Sequence, residues 1–212
     1  MGIDLLTLHR FGRALKRYHV PVLPGLLHQA MRVLYQAYLP YSTEVGEGTR
    51  FGYNGMGNVI HAKARIGRGC IFSPHVIVGG RQGLKDCPII GDYVRIGGGA
   101  KILGPVKIGD FAAIGANAVV THDVPAGAVA AGVPARIIRM IDDPAAEYEA
   151  ATGLPVPLAD RHRAPKPSGA QVVEMPRLTS TIALGEDGSG PHGARAGPTP
   201  RMPPGDDDDL FA

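Results

Sequence analysis

Tryptophan is absent from this chain of 212 residues, aromatic residues make up only 6%, and cysteine occurs twice. Two cysteines at unrelated sites exclude a disulfide framework as the source of stability. No apolar run is long enough to cross a bilayer, and no stretch has the layout of a signal peptide, so the expected compartment is the cytoplasm or its membrane face. Neither sign of charge dominates: 22 Lys and Arg stand against 19 Asp and Glu, a net charge of +3. That balance gives no footprint for nucleic acid. Glycine (30 residues) and proline (19) are plentiful, as in a turn-dense repeat with a flexible appendage.

The organising feature is a period of six. Ile60, Ile66, Phe72, Val78, Leu84, Ile90, Ile96, Ile102, Ile108, Ile114 and Val120 are all apolar. At a hydrophobic content of 44%, chance gives such a series about once in ten thousand trials. A helix repeats its face near 3.6 residues and a strand at two, so a period of six means a short strand plus a corner. Two residues before each large residue the side chain is small or modest, as at Ala64, Cys70, Val76, Val94, Ala100, Val106, Ala112 and Ala118. One residue after it glycine recurs, at 67, 79, 91, 97, 109 and 115, which suits a corner needing backbone angles that a Cβ forbids. The pattern predicts a mainly β solenoid of triangular section with a column of aliphatic side chains inside.

The chain divides into three parts. Residues 1–40 read as two helices, from about Asp4 to Tyr18 and from about Leu26 to Tyr38, with Pro21 and Pro24 between them. Arg10, Arg13, Lys16, Arg17 and Arg32 stand there against Asp4 alone. Peripheral contact with an anionic membrane and packing against the solenoid or a neighbouring subunit are both open readings. Residues 41–140 form the repeat domain. Within it, Val45–Phe51 is out of phase with the later coils, Gly52–Asn58 adjusts the phase, and Gly79–Pro88 reads as a projecting loop, a natural place for a site. Residues 141–212 lack periodic apolar positions and are expected to be a disordered tail ending in the acidic run Asp206–Asp209.

The stretch IIGDYVRIGGGAKILGPVKIGDFAAIGANAVVTHDVPAGAVAAGVPARII (Ile89–Ile138), with VIHAKARIGRG (Val59–Gly69) and VIVGG (Val76–Gly80) upstream, resembles the hexapeptide-repeat acyltransferases, and within them the serine O-acetyltransferases. The helical opening and FGYNGMGNVIH are similar to short relatives associated with surface-polysaccharide acetylation. The resemblance implies a left-handed parallel β-helix, a homotrimer with active sites between subunits, and transfer of acetyl from acetyl-CoA to a small-molecule hydroxyl acceptor without metal. Serine is the acceptor it implies; a sugar hydroxyl, and a non-catalytic scaffold, are the alternatives.

Such chemistry needs a base to take the hydroxyl proton, and histidine is tuned for that near neutral pH. His75, at the foot of the loop, is the first candidate and His61 the second; His122 reads as a surface residue. The family's catalytic histidine aligns with Pro74, its orienting aspartate with Val59 and its loop histidine with Cys87, so Asp86 or Asp92 is the expected support for the base. By the same resemblance Gly79, Gly80, Gly98, Gly115 and Ala116 flank the pantetheine arm, and Arg136 meets the CoA phosphates.

Overall fold

The computed structural model describes residues 4–165. The expectations for 166–212, including the acidic run, lie outside the described residues.

The period of six becomes three stacked faces. The first carries Glu44–Val45, Arg65–Ile66, Ile89–Ile90 and Lys107–Ile108, all parallel. The second carries Arg50–Phe51, Ile71–Phe72, Arg95–Ile96, Ala113–Ile114 and Ala128–Gly132, closed by the antiparallel strand Ala135–Met140. The third carries Val59–Ile60, Ile77–Gly79, Lys101–Leu103 and Val119–Val120. Each sixth residue thus turns inward on the next face. Ile60, Val78, Ile102 and Val120 stand in register on one face, and Phe72, Ile96 and Ile114 on another. All are buried, as are the small residues two positions before each. Every fully buried aliphatic contributes roughly 1.5–3 kcal/mol.

Leu84 is the exception, at 48% exposed. It lies in the loop between Gly79 and Pro88, which adds six residues to its coil and so returns the chain to phase. Ile90 therefore stacks on Ile66 as though nothing had intervened. The segment after Phe51 adds three residues by a short 3-10 turn, Gly52–Gly55, which moves the chain from the first phase to the second, as expected.

The corner glycines have a different cause from the one expected. Gly67, Gly91, Gly97 and Gly109 do not have positive φ; a Cβ on any of them would run into the next coil. Left-handed backbone falls two residues later, at Gly69, His75, Tyr93, Gly99, Phe111 and Asn117.

The helices are α1 (Leu5–Arg17) and α2 (Leu23–Tyr35). Asp4 caps α1 by accepting from the Thr7 N–H at 2.6 Å. Pro24 sits in the first turn of α2 rather than before the helix, where its missing N–H costs nothing. Leu5, Leu6, His9, Gly12 and Met31 pack inward, whereas Phe11 and Leu34 are exposed.

His9 is 1% exposed. Its Nε2–H donates to the Pro40 carbonyl at 3.0 Å, and Nδ1 has no partner among the described residues. Burial, reinforced by Arg13, Arg10 and His28, holds its pKa below the usual 6.5, against the opposing effect of the Pro40 hydrogen bond. Burial lowers His28 as well. The unfolded chain takes up protons near pH 6.5 while the folded chain resists, so this stability is present above pH 6.5 and lost as pH falls below it. The thermal midpoint is expected to drop between pH 7.5 and 5.5. His9→Gln, which keeps a donor for Pro40, flattens that dependence; equal slopes in both proteins would exclude His9 as its origin.

The expectation of a disordered tail from 141 is corrected over residues 141–165. These form α3 (Pro144–Thr152) and α4 (Leu158–Arg161), which pack on the second face and its leading edge. Tyr148 lies edge-on to the stacked rings of Tyr93 and Phe111, and its hydroxyl donates to the Gly69 carbonyl at 2.6 Å. Arg95 and Arg139 both bind Glu147. Missing periodicity was a poor guide here because α3 is short and held by aromatic contacts. Its N-cap Asp143, the following Pro144 and the closing Gly153 were readable signals.

Candidate active site

Three edges join the three faces, and the candidate residues are divided among them. The edge entering the third face carries Ser73–His75, Gly97–Gly99 and Gly115–Asn117, one above another. The Gly99 N–H donates to the Pro74 carbonyl (3.0 Å) and the Asn117 N–H to the Gly98 carbonyl (2.8 Å). His75, Gly98, Gly115 and Ala116 therefore share one edge. Arg136 pairs with Ala131 just beyond it, exposed.

His75 is not on a strand. It occupies the left-handed corner position with φ 60°, its N–H bonded to the Met56 carbonyl at 3.0 Å. Residues 73–75 are all corner, so the offset of one residue from Pro74 to His75 does not turn the side chain to the other face of a strand. The imidazole lies over Gly57, where a Cβ would overlap it. The glycine-rich segment 52–58 therefore seats this histidine as well as adjusting the phase. His75 is exposed, and neither ring nitrogen has a partner among the described residues. No carboxylate among the described residues orients the imidazole.

The amides beside it are also open. Along the edge between the first and second faces, corner N–H groups are taken by side chains: the Arg68 N–H donates to Asp92 Oδ1 and the Asp92 N–H to Asp110 Oδ1, both at 2.8 Å. Gly98 and Ala116 stand at the same corner position with no acidic neighbour, and their N–H groups have no acceptor among the described residues. Small side chains and unpaired donors in a row can bind the carbonyls of an extended chain laid along the edge.

His61 leaves the third face at the other end, on the edge that carries the loop. Its Nδ1 accepts from the Lys63 N–H (3.1 Å) and lies 3.0 Å from Cys87 Sγ. The basic nitrogen is thus already occupied, which leaves Nε2–H as a donor. Cys87 is held as a thiol, since burial raises its pKa more than Lys63 lowers it. Under the loop is a cleft of about 470 Å³ lined in part by Lys63, Arg65, Lys85, Asp86, Cys87 and Lys107. Lys63 and Lys107 were not singled out in the sequence. The readable signal was that Lys107 precedes a column residue, so it points outward. Gly79 and Gly80 begin this loop.

The structure does not bring the two carboxylates to His75. Asp86 stays in the loop, and the third face, whose strand here is Ile77–Gly79, separates the two edges. Asp92 lies on the third edge, where Arg68 and Arg163 hold its carboxylate at 3.1 Å each. Its role there is to tie down the C-terminal helices, with Asp160 accepting from Arg68 and from the Tyr93 hydroxyl. His122 is exposed, as expected. Among the described residues no group of three or more metal-binding side chains occurs.

The bacterial transferase hexapeptide family (six repeats) matches residues 87–122. A serine acetyltransferase of Synechococcus elongatus is 36% identical over 139 residues, which are 65% of this chain and 57% of that protein. One from Helicobacter pylori is 34% identical over 139 residues, 65% of this chain and 81% of that protein. A solved serine acetyltransferase in complex with CoA superposes with a TM-score of 0.57 at 32% identity, covering 63% of this chain and 55% of that one. Its likeness identifies the solenoid as the left-handed parallel β-helix. The fold and the repeats define a hexapeptide-repeat protein; more particularly, the chain belongs to the serine acetyltransferase family. It spans little more than half the length of the cyanobacterial relatives it matches.

Proposed function

We propose that this protein is an acetyl-CoA-dependent serine O-acetyltransferase of the cytoplasm, acting as a homotrimer with His75 as general base. The observation that carries the reading is the shared edge: a free imidazole at His75 in line with the unpaired amides of Gly98 and Ala116. Acetyl-CoA supplies an activated thioester carbonyl. The chain's part is to lay the pantetheine arm along the glycine edge and to take the hydroxyl proton of serine at an imidazole nitrogen of His75. Arg136, exposed beyond the last coil, meets the CoA phosphates. The placement of His75 and of the loop with Asp86 and Cys87 on separate edges of one chain supports the trimer in this reading, with the loop of one subunit completing the edge of another. Among the described residues no helix is long and apolar enough to cross a membrane, in keeping with the proposed compartment.

CoA at a hundred times its dissociation constant is expected to raise the thermal midpoint by about 5–10 °C. Turnover measured against L-serine and a panel of sugars should single out serine. No thermal shift at saturating CoA would favour a scaffold, and turnover with a sugar alone would replace the acceptor.

A further inference from the structure

The outward surface of α1 and α2 has a chemistry that the solenoid does not use. Tyr18 is 79% exposed, Val22 74% and Leu34 70%; Phe11, Leu26 and Val33 are also more than half exposed. Phe11 on α1 and Tyr18 at its C-cap are seven residues apart, with Arg10, Arg13 and Arg17 beside them in sequence. On α2, Leu26 and Val33 repeat the same spacing, next to Leu34. The inner faces of both helices are already packed, through Leu5, Leu6, His9, Gly12 and Met31. The outer apolar residues therefore contribute nothing to the core.

Charge decides what could cover them. Arg10, Arg13, Lys16, Arg17 and Arg32 are exposed, and none has an ion pair among the described residues. The nearest acid in these helices' sequence, Asp4, is spent on capping α1. A second copy docked symmetrically through this surface would set the arginines of α1 against like charge. Aliphatic and aromatic side chains bordered by guanidinium groups that lack an ion pair among the described residues suit a layer with an anionic surface and an apolar interior.

We infer that the α1–α2 hairpin is a peripheral membrane anchor that binds the surface of an anionic phospholipid bilayer, with Tyr18, Val22, Leu26 and Val33 entering the headgroup boundary. Salt-sensitive attraction by the arginines brings the protein to the surface, and apolar insertion holds it there.

Flotation of the full chain with vesicles tests this. Vesicles of phosphatidylcholine with about 30% phosphatidylglycerol are expected to carry the protein at least about tenfold better than phosphatidylcholine alone, and about 0.5 M NaCl to release it. Arg10→Glu with Arg17→Glu, and separately Leu26→Ser with Val33→Ser, should each weaken binding at least about tenfold. Helical signal, thermal midpoint and turnover in solution should stay unchanged, since all four side chains are exposed. No flotation, equal flotation on both vesicles, or variants that bind like the parent would overturn the anchor. So would a sedimentation mass that falls on Leu26→Ser with Val33→Ser without any vesicle binding, which would assign the surface to a second copy.

Discussion

His75→Asn is expected to lower kcat/KM for acetyl transfer by at least about a hundredfold, the range in which a positioned base contributes. The choice of asparagine follows from the backbone. His75 has φ 60°, and alanine there would mix lost chemistry with strain in a left-handed position. Asparagine tolerates that region, and Asn117 already occupies the equivalent corner with φ 55°. The fold should therefore survive, with the thermal midpoint little changed and the shift induced by CoA retained. Loss of turnover with intact CoA binding would separate proton transfer from substrate binding. Near-normal turnover would remove His75 from the mechanism and return attention to His61, whose Nδ1 would first have to shed the Lys63 amide and the Cys87 thiol.

Ile102→Ala should destabilise the protein by about 2–5 kcal/mol, whereas Leu84→Ala should cost less than about 0.5 kcal/mol. The two residues hold equivalent places in the hexapeptide count. Ile102 is fully buried between Val78 and Val120, and its removal leaves a cavity that neighbouring coils cannot fill without losing register. Leu84 lies in the loop with about half its surface in water. Urea denaturation of both variants measures the contrast. A similar cost at both positions would mean that the loop packs as part of the core, contrary to its exposure.

The candidate site could be read from the sequence as single residues, and little of it as an arrangement. His75 was singled out for its place at the foot of the loop, and Gly98, Gly115 and Ala116 on resemblance; the four share an edge. Asp92 was a plausible partner for a base because it is an aspartate at a corner, but the corner is the wrong one. Corners on different edges look alike in a linear sequence. What tells them apart is the neighbour one coil away: Arg68 beside Asp92, Pro74 beside Gly98. The Cys87–His61 contact was hidden for the same reason, since a loop residue meets a corner 26 positions earlier. The function of segment 52–58 was half visible. Its glycines announced a change of phase, but the seat of Gly57 under His75 depends on stacking.

From its own pattern the chain dictated the buried column, the count of faces and the place of the interrupting loop. Each of these follows from local geometry: a strand of two or three residues and a corner can bury only one large side chain in six. Tertiary packing decided how the edges are specialised, one open and glycine-lined, one carrying the loop, one locked by Arg68, Asp92 and Asp160 beneath α3 and α4. It did so because those contacts join residues that lie a whole coil or more apart, and the aromatic stack under Tyr148 exists only once the coils lie one upon another.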